Sequence, residues 1–207
     1  MESLALAFSS GWASGINSYL VVLVLGLADR FGTVETIPDV LGRWEVLVVA
    51  GLLYGFEFVA DKIPYVDSGW DVISTAIRPV VGGVIGVLIA GDSGSLNEIT
   101  GGLVGGSTAF ASHSVKTGTR MAVNTSPEPF TNIGISLGED ITVLAVVVFA
   151  VQHPYVAASI SLVLLLLGLV TLWLAWRIIR RGWRRFQAWW ERRRGGSTAA
   201  DLPGPLT

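Results

Sequence analysis

The chain has 207 residues, of which 51% are hydrophobic and only 14% are charged, and its mean hydropathy is +0.60. Soluble domains carry about 25% charged residues, so this composition argues against a water-soluble globule and indicates a membrane protein. The length allows about six membrane crossings of ~20 to 25 residues each. The chain contains no cysteine, which excludes disulfides, iron–sulfur clusters and cysteine nucleophiles.

The net charge of −2 conceals a division between the end of the chain and the rest. Residues 177–194 hold eight arginines and one acid, Glu191, which gives +7. The remaining residues hold six bases and fifteen acids, which gives −9. What these acids do depends on whether they lie in solvated loops or within the membrane.

Six apolar stretches follow one another along the chain, separated by charged and turn-forming residues. We predict an all-α polytopic membrane protein with helices over residues 4–27, from 46 to just before Pro64, and over 67–90, 96–123, 132–151 and 156–176. We expect the first stretch to be a transmembrane helix and not a cleavable signal, because it lacks a basic amino terminus. The second is unbroken only to Phe56, too short to cross ~30 Å of hydrocarbon, so Glu57 and Asp61 are predicted within the membrane.

Three parts are predicted from these features: a six-helix transmembrane domain over 1–176, an Arg- and Trp-rich amphipathic helix over 177–194, and a disordered tail over 195–207. We expect the arginines of the second part to contact anionic lipid headgroups, and we expect no nucleic-acid partner. Because basic clusters stay on the cytoplasmic side, both termini are predicted to be cytoplasmic in a bacterial inner membrane.

The two halves of the predicted helix set share some features, and two interpretations stay open: an inverted repeat of three plus three helices, or chance. The first and fourth helices are both rich in small residues and carry a polar residue at a similar place, Asn17 and His113. The tripeptide Pro-Tyr-Val occurs at 64–66 and again at 154–156, ahead of the third and sixth helices. A homo-oligomer is expected as well.

Polar residues recur at three- and four-residue spacing within four of the predicted helices, so each helix carries one polar stripe. The second and third helices contribute Tyr54, Glu57, Asp61, Asp67, Asp71, Ser74 or Thr75, and Arg78. The fourth and fifth contribute His113, Lys116, Arg120, Asn132, Ser136, Glu139 and Asp140, and the small residue Ala109 lies on the same face of the fourth. Because ionisable groups are costly in lipid, the stripes must face one another or water, which predicts a polar vestibule open to the cytoplasm.

The stripes and nearby loops hold seven acids against four bases, and this surplus indicates a cation or proton site. The candidate ion- or substrate-binding residues are Glu57, Asp61, Asp71, Glu139, Asp140, His113 and Asn17. Their candidate charge partners are Lys62, Arg78, Lys116 and Arg120. If Asp67 and Glu128 lie in solvated loops, five acids face four bases, which favours ion pairs that only fix helix packing.

The function predicted from these stripes is a small transporter or channel for a cation or proton. One alternative is an enzyme or flippase for a phosphorylated lipid, with Lys116 and Arg120 as the phosphate clamp. A second alternative is a structural or assembly protein. For His113, proton relay and a satisfied interhelical hydrogen bond both remain open. We expect no catalytic residue and no cofactor, and the sequence leaves a metal ion undetermined.

Several strings resemble one family of bacterial integral membrane proteins, catalogued as domain of unknown function 4126. They are GWASGIN at 11–17, EFVADKIPYVDS at 57–68, Arg78-Pro79, and the stretch from SPEP at 126–129 through Glu139-Asp140. The resemblance covers about residues 9–154 and implies a polytopic helical membrane protein. It implies no activity, substrate or site residues, so the functional prediction depends on the polar stripes.

Overall fold

A computed structural model describes residues 1–32, 36–63, 66–94, 96–124 and 129–195. These residues form six α-helices and no strand, as the sequence predicts. The helices are α1 (Glu2–Phe31), α2 (Trp44–Ala60), α3 (Val66–Ser93), α4 (Glu98–Asn124), α5 (Pro129–Gln152) and α6 (Pro154–Gly195). The predicted disordered tail, apart from Gly195, lies outside the described residues, as does Glu128.

Four of the six helices, α1, α3, α5 and α6, are long and apolar enough to cross a membrane. Helix α2 has 17 residues, which corresponds to about 26 Å of helix, slightly less than the hydrocarbon core. Large apolar side chains project from the outer surface, including Leu52 at 71%, Val72 at 74% and Ile141 at 66% exposed. Such surfaces suit a hydrocarbon environment, so the polytopic helical membrane class is confirmed.

The chain divides into two compact units, Met1–Gly168 and Leu169–Thr207. In the first unit α1 is the central helix and packs against α2, α3, α4 and α5. Its apolar core combines residues of α1, α3 and α5: Leu20, Val21, Leu25, Ile85, Ile89, Val143 and Val147. A helix that is apolar or small on all sides, as α1 is, can be enclosed by its neighbours in this way.

Glycines allow α3 and α4 to approach backbone to backbone. A Cβ atom added to Gly86 would collide with the Gly101 carbonyl oxygen, and one added to Gly105 would collide with that of Gly82. A Cβ at Gly15 of α1 would collide with Ser112 and the Ala109 carbonyl of α4. Small residues therefore permit the close approach of these helices at these positions. The inverted repeat remains a prediction.

Candidate functional site

The polar stripes of α2 to α5 meet in a single group of side chains inside the Met1–Gly168 unit. We call this group the buried charge cluster, and it comprises Asn17, Glu57, Asp61, Asp67, Asp71, Arg78, His113, Lys116, Arg120, Asn132, Glu139 and Asp140. All of its members are buried except Glu139, whose side chain is 17% exposed. Helical spacing brings each stripe to one face, and interhelical packing brings the faces together.

Arg78 of α3 organises the first half of the cluster. Its Nη2 donates to Glu57 Oε1 of α2 at 2.5 Å, and its Nη1 donates to His113 Nδ1 of α4 at 2.8 Å. Nη1 also lies 3.4 Å from Asp71 Oδ1, about two helical turns earlier on the same face of α3. One guanidinium thus joins three helices, which its fork of donors makes possible.

The contact with Arg78 fixes the role of the His113 ring. A guanidinium has donors only, so His113 Nδ1 must accept this hydrogen bond and carries no proton. The ring is then neutral with its proton on Nε2, which lies 3.0 Å from Thr75 Oγ1. Of the two predicted roles, this geometry matches a satisfied interhelical hydrogen-bonding group.

Lys116 and Arg120 of α4 organise the second half of the cluster. Lys116 Nζ donates to Asp61 Oδ2 at 2.7 Å and lies 3.6 Å from Glu139 Oε2. Arg120 Nη2 donates to the same Glu139 oxygen at 2.6 Å, and its Nη1 lies 3.4 Å from Asp67 Oδ1. Arg120 Nη1 also donates to Asn132 Oδ1 at 2.8 Å and to the Asp61 carbonyl at 3.0 Å. Each base therefore contacts more than one carboxylate.

Helix α1 is broken at the cluster, where Asn17 has the non-helical dihedrals φ −150° and ψ 94°. Its Oδ1 accepts a hydrogen bond from Leu20 N at 3.0 Å, which is the geometry of a helix N-cap for the second half of α1. The Gly15 carbonyl accepts from Arg78 Nη1 at 3.3 Å, and the Ile16 carbonyl accepts from Lys116 Nζ at 3.1 Å. Two cations thus stand at the negative end of the first half-helix.

The carboxylates outnumber the bases in the cluster. Six acids, Glu57, Asp61, Asp67, Asp71, Glu139 and Asp140, face three bases, Arg78, Lys116 and Arg120. Lys62, predicted as a fourth charge partner, instead donates to the Phe58 carbonyl at 2.7 Å and lies over the Phe58 ring. Among the described residues, six cluster acids thus face only three bases, and Lys62 attracts Asp140 and Asp61 without forming an ion pair with them.

Some carboxylate oxygens of the cluster accept no hydrogen bond from the described part of the chain. They include both oxygens of Asp71, as well as Glu57 Oε2 and Asp61 Oδ1. Asp71 is only 2% exposed, so bulk water does not solvate its carboxylate. A buried oxygen with no donor is unfavourable when charged and is a natural place for a proton or a cation.

The structure brings together all of the predicted site residues except Lys62. The alternative that Asp67 lies in a solvated loop is wrong, because Asp67 is fully buried next to Arg120. Asn132 also belongs to the cluster and is not one of the predicted binding residues, although its place on the α5 stripe is a usable signal. The carbonyls of Gly15 and Ile16 had no signal in the sequence, since any residue supplies a carbonyl.

The bases stand between the carboxylates, and this arrangement affects which ions could bind. Arg78 separates Glu57 from Asp71, and Lys116 separates Asp61 from Glu139. Within the described ranges, no group of three or more histidine and acidic side chains is placed to hold a metal ion.

Taken together, the fold and the cluster define a polytopic helical membrane protein whose helices enclose a buried network of ion pairs. Residues 4–177 match the family model described as Domain of unknown function (DUF4126). The chain belongs to this family, as the resemblance of its sequence strings predicted. No curated protein and no solved structure matches the chain.

Proposed function

We propose that this protein is a small membrane transporter that moves protons, and that the buried charge cluster is its proton-binding site. One observation carries the proposal: six buried or nearly buried carboxylates face three bases. In a low-dielectric interior, the carboxylates that exceed the bases cannot all remain charged without a counter-ion. Protons taken up by the carboxylates supply the missing positive charge.

Protons fit this cluster better than a metal cation because the bases are interleaved with the acids. A metal ion needs several oxygens converging on one point, whereas a proton needs only one. An ion placed between Glu57 and Asp71 would meet the guanidinium of Arg78, which already occupies that position. Protonation of a single carboxylate avoids this repulsion.

Two residues are the best candidates for reversible proton uptake. Neither oxygen of Asp71 accepts a hydrogen bond from the described residues, and Glu57 Oε2 accepts none either. A proton can therefore bind at these oxygens without breaking an existing hydrogen bond. The ion pair between Glu57 and Arg78 directly links α2 to α3. Neutralising Glu57 weakens this ion pair. Proton uptake is thereby coupled to helix packing.

The break in α1 supports a role in transport and not a purely structural role. Discontinuous helices with half-helix ends directed at charges are a recurring feature of transporter sites. Here the carbonyls of Gly15 and Ile16, at the end of the first half-helix, accept hydrogen bonds from Arg78 and Lys116. A shift of either cation after carboxylate protonation would change how the two halves of α1 are held.

Proton flux into proteoliposomes is the direct test. A potassium gradient with valinomycin sets the membrane potential, and an entrapped pH dye reports proton entry. We expect Asp71→Asn and Glu57→Gln to reduce flux at least tenfold while retaining the folded state. Asp92→Asn is the matched control, since Asp92 lies on the same helix but is exposed, and we expect its flux to equal wild type.

Two results would contradict the proposal. If the wild-type protein carries no protons under any imposed pH gradient or potential, the function is wrong. If both cluster variants fold and carry protons as the wild type does, the site assignment is wrong.

The structural or assembly alternative is favoured by one observation, namely that all three buried bases already contact carboxylates directly. Under that alternative, the cluster variants lose stability and no version of the protein carries protons. The lipid-phosphate alternative requires Lys116 and Arg120 to release Asp61 and Glu139, and it adds negative charge to an acidic cluster. The proton proposal requires neither change.

The proposal includes a bacterial inner membrane with both termini in the cytoplasm. The eight arginines of residues 177–194 directly follow the last apolar stretch, which supports this orientation. Labelling from either side of right-side-out membrane vesicles, through single cysteines introduced near each terminus, would check it.

A further inference from the structure

The second half of α6 is strongly amphipathic. At 100° per residue, its large apolar side chains and its arginines each fall within an arc of about 140°, and the two arcs lie on opposite sides of the helix. The apolar arc holds Ile178, Ile179, Trp183, Phe186, Trp189 and Trp190. The basic arc holds Arg177, Arg180, Arg181, Arg184 and Arg185. We call residues 177–191 the amphipathic segment.

The apolar arc of this segment is open to its surroundings. Ile178 is 68%, Ile179 64% and Trp183 61% exposed. The ring of Phe186 lies 6.1 Å from that of Trp183 and 5.9 Å from that of Trp189, so the aromatic side chains form one continuous surface. In water such a surface costs free energy, which indicates that something apolar covers it.

We propose that this surface is covered by the bilayer itself, with the arginines bound to anionic lipid headgroups. The amphipathic segment directly follows the apolar part of α6, which places it where the chain leaves the hydrocarbon. Arginines on one face with tryptophan and phenylalanine on the other are typical of helices lying in the membrane interface. This arrangement requires α6, which is one helix over Pro154–Gly195, to bend after Trp176 so that the amphipathic segment lies along the membrane surface.

The charge of the segment selects the kind of lipid. Five arginines face one acid, Glu191, within residues 177–191. A cationic residue is attracted by the negative surface potential of an anionic leaflet, so the set of arginines distinguishes anionic from zwitterionic headgroups. Neutral lipid would cover the apolar arc but leave the arginines without counter-charges.

A second copy of this chain fits the surface less well. Ile179, Trp183, Phe186 and Trp190 follow the four-three-four spacing of a coiled coil. Stable coiled coils pair acidic and basic residues beside this seam, but here the flanking positions are Arg180, Gly182, Gln187 and Trp189. Because none of them is acidic, two copies cannot form ion pairs across the seam. The apolar arc is also wider than the narrow seam of a two-stranded coiled coil.

The absence of cysteine from the chain permits a direct experiment with the full-length protein. Single cysteines introduced by Phe186→Cys or Ile179→Cys on the apolar arc, and by Arg184→Cys on the basic arc as matched control, are labelled with an environment-sensitive fluorophore. Each protein is reconstituted into vesicles of phosphatidylcholine alone or with one quarter phosphatidylglycerol. Lipids with a spin label on the acyl chain serve as quenchers.

We expect the two apolar-arc labels to shift to the blue and to be quenched in phosphatidylglycerol vesicles, and the Arg184→Cys label to do neither. About 0.5 M NaCl, or the combined change Arg180→Gln, Arg181→Gln and Arg185→Gln, should remove most of the shift. Equal signals in both kinds of vesicle would overturn the proposal. So would disulfide-linked dimers of the Phe186→Cys protein, since they would assign the surface to a second copy. Either result leaves the proton-transport proposal untouched.

Discussion

Asn17 Nδ2 donates a hydrogen bond to Asp140 Oδ1 at 2.9 Å, although the two residues are 123 positions apart. The same Asn17 side chain caps the second half of α1 through Leu20 N. One amide therefore holds the break in the central helix and attaches it to α5.

Replacing Asn17 should destabilise the protein through both contacts. Asn17→Ala removes a cap and leaves a buried carboxylate with one donor fewer, so we expect a loss of about 2–4 kcal/mol. The measurement is equilibrium unfolding in mixed micelles. Asn97→Ala is the matched control, since Asn97 Oδ1 accepts from the Ile99 and Thr100 backbone at the exposed start of α4. We expect about 1 kcal/mol or less for this control, and an equal loss in both variants would argue against a special role for Asn17.

Removing the charge of Arg78 should be among the most damaging changes in the cluster. Arg78→Met leaves Glu57 and Asp71 without their cation, and breaking a buried pair in this way costs about 3–5 kcal/mol. The double variant Arg78→Met with Glu57→Gln should regain part of that loss, because one uncompensated charge is removed. A double-mutant cycle measured by unfolding in micelles would give the coupling. Additive losses would mean that the 2.5 Å contact contributes little.

The backbone contact of α3 and α4 should not tolerate a methyl group. A Cβ atom at Gly105 would collide with the Gly82 carbonyl, so Gly105→Ala must separate the helices and should cost about 2 kcal/mol or more. Gly138→Ala on α5 is the control, because nothing lies within 4 Å of the position its Cβ would take. We expect that control to be neutral or slightly stabilising. Thermal unfolding in detergent compares the two, and a larger loss for Gly138→Ala would contradict the packing.

The His113 ring should be neutral with its proton on Nε2, since Nδ1 accepts from Arg78 Nη1 at 2.8 Å. Nitrogen-15 NMR of histidine-labelled protein at neutral pH distinguishes this tautomer from the Nδ1–H form and from the imidazolium. The His113→Phe variant assigns the signal against His153. An imidazolium signal for His113 would mean that the ring does not accept from Arg78 and would restore its role as a proton relay.

Much of the candidate site could be predicted because helical stripes are a local property. Glu57, Asp71, His113, Lys116 and Glu139 stand at three- and four-residue spacing from other polar residues, and such positions cannot face lipid. Their convergence follows from the cost of exposing charge to hydrocarbon. Which acid pairs with which base does not follow, because several pairings would keep the charged groups away from hydrocarbon.

The membrane class, the six helices and the faces that carry charge follow from the sequence, since hydropathy and the 3.6-residue period act within each segment. The burial of Asp67, the contact of Lys62 with Phe58 and the break of α1 at Asn17 are known only from the folded arrangement. These features depend on how closely helices approach and on which carbonyls they present. Residue types alone do not encode such distances, because they arise from the packing of all the helices together.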